Sequence, residues 1–134
     1  MTTGKTNFTT KAWDEKPYTE IDGDRKLTRT RAVFAYEGEL EGEGTIDYLM
    51  AYCPNGLGNF VGLERIVGRL GGRSGSFVIQ HTGTFDPKAV YTHWEFVPGS
   101  GTGELQGLTG SGDFVLEGQG PYVVTFNYDV RSST

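Results

Sequence analysis

Glycine separates short segments that are rich in valine, isoleucine, threonine, tyrosine and phenylalanine along this chain. There are 21 glycines among the 134 residues, about double the usual share of roughly 7%. β-branched and aromatic residues favour strands, whereas glycine at short intervals disfavours a helix. No segment of helical length keeps an apolar stripe at i, i+3, i+4 and i+7 without glycine or β-branched residues. The pattern therefore predicts an all-β fold with frequent tight turns.

The same pattern predicts eight strands joined by short loops. Turn residues separate the strands, among them Asp22-Gly23-Asp24, Pro54-Asn55-Gly56 and Gly71-Gly72-Arg73. The predicted strands are residues 7–13, 27–36, 45–53, 59–70, 76–85, 89–97, 102–116 and 122–130. Eight such strands form either a sandwich or an up-and-down antiparallel barrel, and only closure removes the exposed edges. We expect a single barrel domain over residues 1–134 with polar tails at both termini.

Charge and cysteine content restrict the function classes. The net charge of -5 argues against a polyanionic partner such as nucleic acid or an anionic membrane surface. No apolar run approaches the roughly 18 residues of a membrane-spanning helix, and the first ten residues contain no apolar signal segment. The lone Cys53 cannot form an internal disulfide. A cytoplasmic protein is expected.

Strand alternation in the middle of the chain places a carboxylate and an imidazole on one face. In residues 58–70, Arg65 and Arg69 mark one face as outward, so that Glu64 lies on the inward face. A four-residue loop centred on Gly72 and Arg73 predicts that residues facing each other across the hairpin have sequence numbers that add up to about 145. Glu64 is then opposite His81. A type I turn at Asp86-Pro87 then sets His81 opposite Trp94.

A carboxylate beside a histidine inside an apolar barrel is suited to acid–base chemistry. The carboxylate can orient one ring nitrogen and leave the other free to move a proton. Glu64 and His81 are therefore predicted as catalytic residues, although a buried glutamate can equally be a structural hydrogen-bond acceptor. The predicted substrate-binding residues are Tyr48, Tyr52, Phe60, Ile79 and Trp94. The inward position of the two tyrosines requires an odd-length or bulged turn at Asn55-Gly56, because the opposite parity would place Asp47 inside.

The sequence predicts neither a metal nor a cofactor. His81 and His93 fall on opposite faces of their hairpin, and Cys53 has no partner at ligand spacing. The glycine-rich residues 99–103 lack the Lys-Ser/Thr ending of a phosphate-binding loop. A dinucleotide-binding GxGxxG fingerprint is absent as well.

Four runs of the chain resemble the bacterial family DUF3224. The runs are AWDEKPYTE, GNFVGLERIVGRLGGRSGSFVIQHTGTF, VPGSGTGELQGLTGSG and YVVTFNYDV. The run GSGTGELQGLTG is also similar to the Gly-Gly-Thr-Gly signature of the allene oxide cyclase and dirigent barrels, with Ser100 in place of the first glycine. This resemblance implies an eight-stranded antiparallel barrel with a cavity, and relatives that steer small hydrophobic molecules through cyclisation or coupling.

Three function classes remain open. The first is a cofactor-free isomerase, cyclase or lyase that uses Glu64 and His81. The second is a non-catalytic protein that binds a small apolar or aromatic molecule in the same cavity, and the third is a structural barrel with a filled interior. A homo-oligomer is expected, because the resembled barrels assemble through their faces and because Val61, Leu63 and Val67 would otherwise face solvent.

Overall fold

Eight antiparallel strands pair in chain order and close into a barrel, with the first strand against the last. The computed structural model describes residues 1–118 and 120–131. The strands are β1 Thr2–Asp22, β2 Arg25–Gly38, β3 Leu40–Tyr52, β4 Gly58–Leu70, β5 Arg73–Phe85, β6 Ala89–Phe96, β7 Leu108–Glu117 and β8 Tyr122–Val130. Short 3-10 turns occur at Pro54–Gly56 and Gly103–Leu105. The predicted eight-stranded all-β barrel is confirmed, and no helix in these ranges is long and apolar enough to cross a membrane.

Strand β4 shows how alternation places the core. Phe60, Glu64 and Ile66 point inward and are buried, as the outward arginines predict. Val61, Leu63 and Val67 alternate with them on the outer wall, where about half of each side chain is exposed. The homo-oligomer expected from this apolar stripe stays a prediction.

The register between β4 and β5 differs from the predicted one by two residues. Glu64 lies opposite Ile79, and His81 lies opposite Gly62. Gly71 and Gly72 both have positive φ, of 59° and 82°, which allows a tight two-residue turn in place of the predicted four-residue loop. Because the shift is an even number of residues, every side chain keeps its predicted face. The predicted pairing of His81 with Trp94 across β5 and β6 is confirmed.

The connection between β3 and β4 sets the orientation of the tyrosines. Tyr52 pairs with Gly58, so the five-residue connection 53–57 has the odd length that an inward Tyr48 requires. Tyr48 is buried accordingly. Asp47 faces outward and forms an ion pair with Arg31 at 3.1 Å.

The first and seventh strands depart most from the predicted boundaries. The predicted polar N-terminal tail is wrong, since β1 begins at Thr2 and pairs with β8 through Phe8. Gly4, Thr6 and Phe8 alternate inward there, a pattern that the polar composition conceals. Strand β7 begins at residue 108 and not 102, because the preceding residues form the 3-10 turn. Of the predicted polar tail 131–134, residues 132–134 lie outside the described residues, as does Gln119 in the predicted turn 118–121.

The two ends of the barrel are built differently. The connections 23–24, 53–57 and 86–88 lie at the same end as Gly118, which follows β7, and we call this end the cavity end. At the opposite end, the capped end, residues 97–107 fold back onto β5. The Ser76 amide donates to Thr102 Oγ1 at 3.0 Å, and the Val78 amide donates to Ser100 Oγ at 3.0 Å. Leu105 from this segment is fully buried in the core, so the capped end is filled.

The facing glycines Gly42 and Gly68 generate a first prediction. A Cβ atom at Gly68 would lie 2.0 Å from the backbone oxygen of Glu41, which cannot move without disturbing the β3–β4 ladder. Gly68→Ala is therefore expected to lower the free energy of unfolding by about 3 kcal/mol, measured by urea denaturation. Gly72→Asn is the control, because its Cβ would meet open space and asparagine tolerates positive φ. Equal losses in the two variants would contradict this explanation.

Candidate functional site

The carboxylate of Glu64 lies at the centre of the barrel, fully buried. Its Oε1 atom is 2.7 Å from His81 Nε2, and its Oε2 atom accepts a hydrogen bond from the Tyr36 hydroxyl at 2.6 Å. A buried carboxylate without partners is strongly destabilising, and these two contacts supply them. Tyr36, Glu64 and His81, which we call the Glu64 triad, thereby connect β2, β4 and β5.

Glycines make room for the triad. A Cβ atom at Gly44, on the strand between Tyr36 and Glu64, would lie 2.0 Å from Glu64 Oε2. The missing side chain lets the carboxylate pass over β3 toward a tyrosine two strands away. Gly62 on β4 makes room in the same way, because it pairs with Tyr48 on β3 and with His81 on β5. A side chain there would collide with the Tyr48 ring.

Aromatic rings surround the imidazole of the triad. The ring centroids of Trp94 and Tyr48 lie 5.8 Å and 5.7 Å from that of His81. His81 Nδ1 and Trp94 Nε1 are buried and have no hydrogen-bond partner among the described residues. When His81 Nε2 carries the proton it donates to Glu64, and Nδ1 is then an acceptor. The imidazole thus has one nitrogen committed to Glu64 and one uncommitted.

The tyrosines near the triad are held in their neutral form. Burial raises the pKa of Tyr36 well above its usual value, and the nearby Glu64 carboxylate raises it further. Burial and Glu64 also raise the pKa of Tyr48. Both hydroxyls therefore keep their protons near neutral pH and act as hydrogen-bond donors.

A cavity of about 400 Å³ opens at the cavity end. Its lining is mainly aromatic and aliphatic, from Phe8, Trp13, Phe34, Tyr48, Met50, Tyr52, Phe60, Phe85, Val90, Leu116 and Tyr122 together with Thr10, Thr92 and residues 86–89 and 118. Two lining rings also contact the triad: Phe8 lies 5.6 Å from Tyr36, and Tyr48 lies 5.7 Å from His81, between ring centroids. These two rings separate the cavity from the triad, and we call them the cavity floor.

The structure divides the residues that the sequence singled out. Tyr48, Tyr52 and Phe60 line the cavity. Ile79 and Trp94 do not line it, because they lie deeper in the packed core, where they are almost completely buried. Glu64 and His81 are in contact with each other beneath the floor but do not line the cavity either. Their catalytic role stays a prediction.

Tyr36 is a residue of the candidate site that the sequence did not predict. It lies on β2, two strands from Glu64, so hairpin arithmetic between neighbouring strands cannot connect the two residues. A usable signal is present in the inward glycines 42 and 44 of β3, because glycine within a strand often marks a close approach of another group. The lining residues Phe8, Phe34 and Met50 were missed as well, since alternation identifies an inward residue but not whether it borders a cavity.

A second carboxylate lies at the rim of the cavity. Glu15 accepts hydrogen bonds from Tyr52, from Thr28 at 2.8 Å and from Trp13 Nε1 at 3.2 Å. Burial acts to raise the pKa of Glu15, but the three hydrogen bonds together with the Lys26 charge outweigh it and lower the pKa below its ordinary value. The rim is therefore held by an ionised carboxylate that fixes two of the lining rings.

The described residues offer no cluster of three or more histidine, cysteine, aspartate or glutamate side chains that could hold a metal ion. His93 lies on the outer wall, on the opposite face from His81, as predicted. Its Nδ1 is 2.7 Å from Asp113 and its Nε2 is 3.2 Å from Glu95. Because the two nitrogens contact different carboxylates, these three side chains do not converge on one point.

The fold and site define an antiparallel barrel with an apolar cavity above a buried, hydrogen-bonded carboxylate. The chain belongs to the DUF3224 family of proteins of unknown function, whose family model matches residues 4–128. A solved structure of a DUF3224 protein of unknown function from Shewanella oneidensis MR-1 is similar, with 32% sequence identity and a TM-score of 0.80. The similarity covers 98% of this chain and 99% of that one. No curated protein matches the chain, and the relation to the allene oxide cyclase and dirigent barrels stays a prediction.

The Glu64 triad predicts a graded response to substitution. Glu64→Ala removes the acceptor of both Tyr36 and His81 and leaves a void, so we expect a loss of about 4 kcal/mol in the free energy of unfolding. Glu64→Gln should cost about half as much, because its amide can accept from Tyr36 and donate to a His81 that is protonated on Nδ1. Urea denaturation measures both. Glu37→Ala, on the exposed face of β2, is the control, and a loss from Glu64→Ala as small as in the control would contradict this role.

The rim carboxylate predicts a dependence of stability on pH. The folded-state pKa of Glu15 is lowered, so its contribution is fully present above the unfolded value of 4.5 and is lost as the pH falls through the folded-state pKa. The wild type should therefore be more stable than Glu15→Gln at about pH 7, and this advantage should shrink toward about pH 3. Thermal unfolding of both proteins across this range measures the difference. An advantage that is constant with pH would contradict the lowered pKa.

Proposed function

We propose that this protein binds a small, largely apolar or aromatic molecule in the cavity at the cavity end of the barrel. The observation that carries the proposal is the cavity itself, about 400 Å³ in volume and lined mainly by apolar side chains. Pockets for small molecules have volumes of roughly 300–1,000 Å³ and a similar lining, and small barrels hold ligands at their mouths.

The aromatic content of the lining indicates the shape of the ligand. Eight lining residues are aromatic: Phe8, Trp13, Phe34, Tyr48, Tyr52, Phe60, Phe85 and Tyr122. Rings in this arrangement favour a flat aromatic or alicyclic molecule, which can stack on some faces and meet the edges of others. The hydrogen bonds of Glu15 to Trp13 and Tyr52 hold two of these rings in position before a ligand arrives, which reduces the entropy lost on binding.

A cofactor-free isomerase, cyclase or lyase is the second candidate. The observation in its favour is the uncommitted Nδ1 of His81, in a ring that Glu64 orients and that lies directly beneath the cavity floor. Proton transfer to a molecule in the cavity requires that Tyr48 move aside, because its ring lies between the cavity and the imidazole. Binding needs no such movement, so we favour it.

Filling the cavity tests the binding proposal. Val90 lines the cavity, so that Val90→Trp places a large ring inside it. The neutral fluorophore N-phenyl-1-naphthylamine should bind the wild type with increased emission, and Val90→Trp should weaken its binding at least about tenfold by loss of ligand contact area. Fluorescence titration gives both dissociation constants.

The matched control is Val61→Trp, which makes the same change on the outer wall, where Val61 is half exposed. It should bind the fluorophore as the wild type does. Two outcomes would contradict the proposal: an absence of binding by the wild type, and equal affinity in Val90→Trp. Weakening in Val61→Trp alone would instead place the fluorophore on the outer wall.

A further inference from the structure

We propose that the ligand of the cavity carries a neutral oxygen acceptor, a carbonyl group, and that the Tyr48 hydroxyl at the cavity floor donates a hydrogen bond to it. This inference rests on the proposed binding function and adds the chemical class of the ligand. It follows from which polar groups around the cavity are already hydrogen-bonded and which are not.

Four of the polar side chains of the lining are committed to partners within the protein, whereas those of Thr10, Tyr48, Lys88 and Thr92 form no hydrogen bond within the described residues. Thr10 and Lys88 are exposed, and Tyr48 and Thr92 are buried. The hydroxyl of Tyr52 and the indole nitrogen of Trp13 donate to Glu15. The hydroxyl of Tyr122 donates to the backbone oxygen of Gly118 at 2.9 Å. The Asp86 carboxylate accepts from the amides of residues 88 and 89, at 2.8 and 2.9 Å, and from the Tyr91 hydroxyl at 3.0 Å. These groups hold the mouth of the cavity together and are not available to orient a ligand.

The Tyr48 hydroxyl differs from these groups. It forms no hydrogen bond with any residue that the structure describes, although the ring packs against Trp13, Phe60 and His81 at centroid distances of 5.9, 5.6 and 5.7 Å. Within the described ranges, the fully buried side-chain atoms that lack a partner are His81 Nδ1 and Trp94 Nε1 only. The Tyr48 oxygen is not among them, so it is reachable from the cavity that the residue lines. Tyrosine hydroxyls in apolar surroundings usually have a partner, and a ligand can supply this one.

The charges nearby decide what kind of group Tyr48 can bind. Burial, with a further contribution from the negative charge of Glu64, raises the pKa of Tyr48, so that its hydroxyl keeps its proton and acts as a donor. The same charge below the floor opposes an anionic ligand group beside Tyr48, whereas at the mouth the opposite charges of the lining residues Asp86 and Lys88 offset each other. An ammonium group has no lone pair to offer a donor. A neutral oxygen acceptor satisfies both conditions, and a carbonyl group is the common acceptor of this kind in flat, largely apolar molecules.

Thr92 is the residue that competes for this role. Thr92 is a buried lining residue, and its hydroxyl has no hydrogen-bond partner in the part of the chain that the structure describes. A donor assignment to Tyr48 therefore has to be distinguished from one to Thr92 by experiment.

The test uses two probes of the same shape, acetophenone and α-methylstyrene, which differ by the exchange of a carbonyl oxygen for a methylene group. Binding is followed by the backbone amide shifts of isotope-labelled protein, which also report whether each variant keeps the fold. Tyr48→Phe removes one oxygen atom and should weaken acetophenone binding about fivefold, while α-methylstyrene binding changes less than about twofold. Tyr122→Phe is the matched control, because it removes a hydroxyl from the same cavity that is already donated to Gly118.

Each outcome bears on the proposal. Selective weakening of acetophenone binding by Tyr48→Phe, with neither Tyr122→Phe nor Thr92→Val doing the same, supports it. Equal effects of Tyr48→Phe on both probes overturn it, as does selective weakening by Thr92→Val in its place. If N-phenyl-1-naphthylamine binds but acetophenone does not, the carbonyl class is wrong and the binding function stands. If none of the three molecules binds, the binding function itself is wrong.

Discussion

The interior of this barrel is organised around one desolvated carboxylate. Glu64 is fully buried, and a carboxylate in an apolar interior is tolerated only when hydrogen-bond donors replace the lost water. Tyr36 on β2 and His81 on β5 are its hydrogen-bond partners, and Gly44 on the intervening strand β3 supplies the space. Four residues on β2, β3, β4 and β5 thus serve one purpose, which is to keep the buried carboxylate hydrogen-bonded. A substitution at any one of them alters the surroundings of the other three.

The interior of the barrel has two regions, a packed core and an open cavity. Around and below the carboxylate the interior is packed, down to Leu105 at the capped end. Above it, the floor of Phe8 and Tyr48 ends the packed region and the cavity begins. The cavity and the buried carboxylate are therefore neighbours without being in contact, and the ring of Tyr48 borders both the cavity and the triad.

Periodicity in the sequence predicted the faces of the strands well, because Arg65 and Arg69 leave only one inward face for Glu64. It failed for the register of β4 and β5, because two glycines with positive φ form a tighter turn than the loop length suggests. It failed for Tyr36 because that contact crosses an intervening strand through a missing side chain. The cavity could not be located either. Its boundary depends on how side chains from all eight strands fill the barrel, and the residue pattern of one strand does not contain this information.

The glycine-rich run by which this chain resembles other barrels lies at the capped end, where residues 97–107 are hydrogen-bonded to β5. The cavity opens at the opposite end, among different loops. This run is thus part of what seals the barrel, and none of the residues that line the cavity belongs to it. The run therefore reports how one end of this barrel is closed, and it carries no information about the size or chemistry of the cavity at the other end.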